Sequence, residues 1–350
     1  MSTEPSDGMR VLGRSGVRVS EICLGTMMFG GPTDADESNR IIASARDHGI
    51  NFIDTADVYT GGRSEEITGR AIAADRDYWV LATKLGNAYR GEAAIAGTGG
   101  LSRRWIMTAA DASLKRLGLD HIDILYVHRT DPSTDLDETI TAFGDLIRAG
   151  KTRYWALSNV RAWQIADIVH RCRALGVPQP VALQPYYNLM NRQPEVEVLP
   201  AARAFGLGVA TYSPLARGIL TGKYTADAQP ANDTRAGRGD KRMLEAEWRP
   251  ESLAIADELK AHAAATGRSL IHFAMRWVLN NRTVTSIIAG PRTFAQWESY
   301  LGYQSAEWTA DDEALVDRLV PIGHPSAHGA SDPSYPIEGR FPFLAAQPDA

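Results

Sequence analysis

Four residues have types and spacings suited to proton chemistry at an oxygen: Asp54, Tyr59, Lys84 and His128. Lys84 closes the apolar run WVLAT, so its ammonium is partly desolvated and needs a counter-ion. Asp54, at the end of NFID, can supply one from a neighbouring strand. Tyr59 comes after that strand has turned into its loop, so its hydroxyl can fold back over the same point. A free phenol titrates near ~10, and an adjacent ammonium lowers that value, so Tyr59 reads as a proton donor whose acidity Lys84 tunes. His128, behind ILYV, can donate a hydrogen bond to a substrate oxygen. Such a set suits carbonyl reduction, where negative charge develops on oxygen as hydride arrives at carbon. Each residue taken alone has a plainer reading, as a loop tyrosine or a structural ion pair. A metal site is disfavoured, because only Arg129 and Asp131 accompany His128.

The elements that must position these residues recur as a short β-rich run, a loop and an amphipathic helix. The runs predict strands at Glu21–Gly25, Asn51–Asp54, Trp79–Lys84, Ile122–His128, Tyr154–Ser158, Val181–Gln184, Gly208–Tyr212 and Ser286–Ala289. Helical spacing marks Glu37–His48, Arg103–Leu117, Leu136–Ala149, Arg161–Leu175 and Val196–Phe205, with glycines 49, 118, 150, 176 and 206 as C-terminal stops. Strands alternating with helices call for parallel pairing. A doubly wound sheet would want a G-x-G-x-x-G turn after the first strand, and LGTMMFGG lacks it. The expectation is therefore a closed (β/α)8 TIM barrel, residues 9–321, with Met9–Val19 forming an N-terminal hairpin around Arg14-Ser15-Gly16. Residues 1–8 read as a disordered arm and 322–350, with five prolines after Pro321, as an extended tail. In such a barrel chemistry sits at the C-terminal strand ends. Those ends are polar in succession: Asp54, Lys84, His128, Ser158-Asn159, Gln184 and Tyr212-Ser213. Two long loops, Gly86–Ser102 and Leu215–Glu251, read as functional or mobile.

Composition narrows the class. The chain has 350 residues with 37 Lys plus Arg against 42 Asp plus Glu, a net charge of −5 that argues against nucleic-acid binding. No apolar run approaches the ~20 residues that span a bilayer. Two cysteines are too few for a disulfide scaffold, which fits a reduced cytoplasmic setting. Only six of the 37 basic residues are lysine, so Lys84 and Lys223 stand out.

IDTADVY, VLATK, LYVHR, LSN, LQPYYN and TYSPLARGILTGKY, in this order, resemble the aldo-keto reductases over about Leu12 to Asp317. The resemblance implies the same barrel, a catalytic four of Asp54, Tyr59, Lys84 and His128, and a nicotinamide cofactor lying extended across the mouth. It sets Gly25, Thr26 and Met27 beside the nicotinamide ribose, Ser158, Asn159 and Gln184 on the carboxamide, and Tyr212 on the ring. Ser213, Pro214 and Leu215 follow the pyrophosphate, with Lys223 and Arg235 on the diphosphate and in its loop. Gly290, Arg292 and Gln296 fall where the family wraps an adenosine 2′-phosphate. With Arg235, Arg238, Lys241 and Arg242 close by, the balance favours NADPH. Ser299 and Tyr300 replace the family's usual adenine contacts. Arg129 is expected to pair with Asp131, and Asn87–Leu101 and the tail with Tyr335 and Phe341 to shape the substrate side. A non-enzymatic partner resembling potassium-channel β-subunits is the alternative implied by the same family. Oligomeric state is not legible.

Overall fold

Along each apolar run, alternate side chains face opposite sides of the backbone, and this parity builds two cores. In the computed structural model, which describes residues 8–87, 99–225 and 229–335, eight parallel strands close into a barrel. A hairpin, β1 (Met9–Val11) and β2 (Arg18–Ser20), precedes them. The barrel strands are β3 (Ile22–Gly25), β4 (Phe52–Asp54), β5 (Val80–Leu85), β6 (Ile122–Val127), β7 (Thr152–Ser158), β8 (Ala182–Gln184), β9 (Gly208–Tyr212) and β10 (Ser286–Ala289). They pair in chain order, and β10 closes on β3.

The inner core is the lumen, filled by Cys23, Phe52, Ala82, Ile124, Tyr126, Ala156, Ala182, Ala210 and Ile288. Leu12 and Val19 of the hairpin segment join this cluster, which seals the barrel base. Two residues further along the same strands, the inward positions are Gly25, Asp54, Lys84, His128, Ser158, Gln184 and Tyr212. The polar ring at the mouth is thus the top layer of the lumen, a direct consequence of a two-residue repeat.

The outer core lies between strands and helices. The helices are α1 (Ala35–Asp47), α2 (Arg63–Ile72), α3 (Arg103–Leu117), α4 (Leu136–Arg148), α5 (Ala162–Leu175), α6 (Val198–Phe205), α7 (Lys241–Ala246), α8 (Pro250–Ala265), α9 (Leu270–Asn280), α10 (Phe294–Glu298) and α11 (Ala310–Leu319). The five glycines expected to end helices all have positive φ.

Two expectations shift. Leu215–Glu251 is not a bare loop, since it contains a 3-10 turn at Ala216–Thr221 and then α7, capped by Asp240 on the Met243 amide. The tail between 322 and 335 is a series of turns held against the barrel rather than an extended segment. Residues 1–7, most of the Asn87–Leu101 loop and the tail beyond 335, with Phe341, lie outside the described residues. Among the described residues, no helix is long and apolar enough to cross a membrane.

Candidate active site

Lys84 is completely buried on β5, and its ammonium finds three acceptors. Nζ donates to Asp54 Oδ2 at 2.5 Å, to the Thr55 carbonyl at 2.7 Å and to the Tyr59 hydroxyl at 3.2 Å. Asp54 also accepts from Gln184 Nε2 at 3.0 Å. Burial pulls the Lys84 ammonium down, but Asp54 and Tyr59 together outweigh it and hold the group above its ordinary value. Lys84 is therefore charged at neutral pH, and its charge lies directly beneath the Tyr59 oxygen.

Tyr59 departs from the sequence expectation. Burial raises its phenol above the ordinary value, and Lys84 pulls it down without cancelling the rise; Asp54 and Asp57 add to it. The resting phenol keeps its proton, with the Lys84 ammonium as the nearest charge that favours the phenolate. His128 stands across from it, the two rings edge to face with centroids 6.1 Å apart. Burial first, then the charges of Lys84 and Arg129, lower the imidazole to about 3, so His128 is neutral and a hydrogen-bond donor rather than an acid. Its Nδ1 is buried without a hydrogen-bond partner among the described residues.

A cleft of about 560 Å³ opens above this ring. Asp54, Tyr59 and His128 line its floor, with Lys84 beneath. Every residue assigned to a cofactor by resemblance borders the same cleft: Gly25, Thr26, Met27, Ser158, Asn159, Gln184, Tyr212, Ser213, Pro214, Leu215, Lys223, Arg235, Gly290, Arg292 and Gln296. Several are already engaged with protein. Asn159 Nδ2 donates to the His128 carbonyl and to Ser158 Oγ, both at 3.0 Å, while its Oδ1 accepts from the Tyr212 hydroxyl at 2.9 Å. Gln184 has its amide nitrogen on Asp54, leaving its oxygen for a ligand. The Tyr212 ring is stacked on Tyr186 at 5.5 Å, so its other face is left for a planar group. Gln296 Oε1 accepts from the Arg292 amide at 2.9 Å, which makes it a brace for that loop as well.

At the far end of the cleft lie Lys223, Arg235, Arg238 and Arg292. Burial lowers both the Lys223 ammonium and the Arg235 guanidinium; Arg235 and Arg292 lower Lys223 further, whereas Asp240 partly offsets the loss at Arg235. Crowded cations that Asp233 and Asp240 offset only in part fit an anion such as a phosphate. The Arg292 Nη1 donates to the Asp233 carbonyl at 3.0 Å, tying the basic loop to the segment after β10.

Other basic residues have different work. Lys241 is exposed and lies near Glu245, 3.7 Å away. Arg242 makes a two-pronged pair with Asp332 at 2.5 and 2.6 Å. Arg129 does not pair with Asp131: its Nη2 donates to the Ser334 carbonyl at 2.8 Å, and its guanidinium lies 5.4 Å from the Tyr335 ring centre. Asp131 instead accepts from Ser133, Thr134 and the Leu101 amide. Arg161 Nη2 reaches the Tyr335 carbonyl at 3.2 Å. Three arginines, Arg129, Arg161 and Arg242 of α7, thus hold residues 332–335 over the barrel, and Tyr335 lines the cleft. The sequence offers no signal for these contacts, since each joins residues ninety or more positions apart through a side chain long enough to choose among partners.

A (β/α)8 barrel with a buried Asp–Lys–Tyr cluster at its mouth, beneath a cleft that carries a group of cations, defines the class of this protein. The aldo/keto reductase family model matches residues 21–321, and the chain belongs to that family. It is 38% identical over 284 residues to a probable voltage-gated potassium channel subunit beta of Oryza sativa subsp. japonica, covering 80% of this chain and 85% of that protein. It is equally similar to the corresponding Arabidopsis thaliana protein, at 38% over 284 residues and the same coverage. An uncharacterized oxidoreductase, YrpG, of Bacillus subtilis (strain 168) is 36% identical over 339 residues, covering 93% of this chain and 98% of that protein.

Proposed function

We propose that the protein reduces an aldehyde or ketone to an alcohol with NADPH. The observation that carries this reading is the Tyr59 hydroxyl 3.2 Å from a buried Lys84 ammonium at the floor of the cleft. Gln184, Asn159 and Tyr212 would hold the nicotinamide end, and Lys223, Arg235 and Arg292 the phosphates. When bound, NADPH supplies the hydride from C4 of its ring. The protein's own residues supply the proton and the charge control. Neutral His128 donates a hydrogen bond to the carbonyl oxygen and fixes its direction. Tyr59 gives its proton to that oxygen as negative charge grows there, and Lys84 stabilises the phenolate left behind. Asp54 keeps the ammonium in place. The substrate is a small carbonyl compound, and both cysteines are buried and free, which fits a reduced cytoplasmic setting.

The test is loss of NADPH absorbance with 4-nitrobenzaldehyde, beside Tyr59→Phe. Turnover that Tyr59→Phe lowers by about 100-fold or more, with cofactor binding kept, supports the reading. Tight NADPH binding without turnover across a panel of aldehydes, quinones and keto-sugars would sink it. That outcome favours the second reading, a nicotinamide-binding partner protein, to which the similarity to channel β-subunits points.

A further inference from the structure

Two adjacent polar side chains at the start of α2, Ser64 and Glu65, are fully buried and do not line the cleft. Ser64 Oγ donates to the Thr26 carbonyl at 2.8 Å and lies 3.0 Å from Thr55 Oγ1. Glu65 Oε1 accepts from Thr83 Oγ1 at 2.6 Å, and its Oε2 accepts from Arg116 Nε at 2.6 Å. Thr26, Thr55 and Thr83 stand at the upper ends of three consecutive barrel strands; Thr55 follows Asp54 and Thr83 precedes Lys84. Because side chains alternate along β5, Thr83 points out toward the helices where Lys84 points into the lumen. Glu65 therefore grips β5 from outside, one residue before the ammonium.

The same carboxylate reaches the turn that carries Tyr59. That turn runs from Tyr59 to Gly62 and leads straight into α2. Arg116, on α3, lays its side chain across Gly62, where a Cβ would fall 2.6 Å from Arg116 Cδ and where φ is +92°. The Arg116–Glu65 pair thus clamps the turn between α3 and β5. A buried ion pair is a poor device for stability alone, since apolar residues of equal volume serve as well or better. Its contribution is direction: two short charge-assisted bonds admit one placement of the helix start.

We propose that Glu65 is a positioning residue of this site, setting the Tyr59 turn over β5 through Thr83 and Arg116 and so fixing the reach from the Tyr59 hydroxyl to the Lys84 ammonium. The proposal rests on the reading of Tyr59 as proton donor. Charged groups facing Glu65 are Arg116 and Asp57; those facing Tyr59 are Lys84, Asp54 and Asp57, with Tyr335 and His128 across the cleft.

The experiment compares Glu65→Gln and Thr83→Val with Thr83→Ser, which keeps the hydroxyl. Two readouts are taken on the full chain: steady-state reduction with NADPH, and titration of tyrosinate absorbance for each protein against its own Tyr59→Phe version. Expected are kcat lower by about tenfold or more in Glu65→Gln and Thr83→Val, with KM and NADPH affinity within about twofold of wild type. Tyr59 should titrate higher in both, and Thr83→Ser should restore kcat and titration together. Unchanged kcat and titration overturn the proposal, as does a loss that merely tracks the unfolded fraction while Tyr59 in the folded protein is unmoved. The titration needs no turnover. Should the wild type fail to reduce carbonyls, a shifted Tyr59 still supports the tie and an unshifted one overturns it.

Discussion

Lys84→Met removes one member of a fully enclosed pair and leaves the other stranded. The Lys84 and Asp54 side chains are 0% and 3% exposed, and without the ammonium the Asp54 carboxylate keeps, among the described residues, only the Gln184 amide as donor. Breaking a buried pair from one side costs about 3–5 kcal/mol, which for a domain of this size lowers Tm by roughly 4–7 °C. Asp54 has one escape, which is to take a proton. Burial already raises its carboxyl, and Lys84 now opposes that rise; in Lys84→Met the opposition is gone. A carboxyl whose folded value lies above its unfolded value is least costly at low pH and destabilises as pH climbs through the folded value. The Tm deficit of Lys84→Met should therefore be small near pH ~4 and widen toward pH ~8. Lys84→Met with Asp54→Asn should close that widening without recovering activity, because Tyr59 still lacks its ammonium. Thermal melts across that pH range, paired with NADPH consumption, decide the matter. A deficit independent of pH, or a double variant that regains turnover, would refute the reasoning. Lys84→Arg keeps the charge but replaces a compact ammonium reaching three acceptors with a planar fork, so it should retain the fold and lose most activity.

Arg292→Ala should weaken NADPH binding by about tenfold or more and leave NADH within about threefold, read by fluorescence titration; equal losses would remove Arg292 from the 2′-phosphate. Asp57, pushed up to about 7 by burial and by Glu65, costs stability once it ionises. Asp57→Asn should then melt above wild type at pH ~8, by the equivalent of a few kcal/mol, and match it near pH ~4. A gain of the same size at both would count against a titrating Asp57. Gly69 lies where α2 meets α3, and a Cβ there would fall 1.9 Å from the Leu117 carbonyl oxygen. Gly69→Ala should cost about 3 kcal/mol or more in denaturant melts, and a neutral result would show that the two helices separate readily.

Much of this molecule is legible from local pattern. Strand parity is a property of adjacent residues, so the runs ending in Asp54, Lys84, His128, Ser158, Gln184 and Tyr212 announce both the barrel and the polar layer at its mouth. Glycines after helical runs mark where those helices stop. What the chain alone could not decide lies in long side chains and in burial. Arg129 has Asp131 two residues away yet turns to Ser334, and Arg242, in the same basic segment as Arg235 and Arg238, pairs with Asp332. A flexible guanidinium takes whichever acceptor the folded surface brings near, and sequence distance does not set that choice. Glu65 looks like an ordinary acidic residue in a helix's first turn until Thr83 and Arg116 close on it. The phenol of Tyr59 makes the same point in energy: a neighbouring ammonium is visible in the sequence and argues for a lowered value, but the depth of burial that outweighs it exists only in the folded barrel.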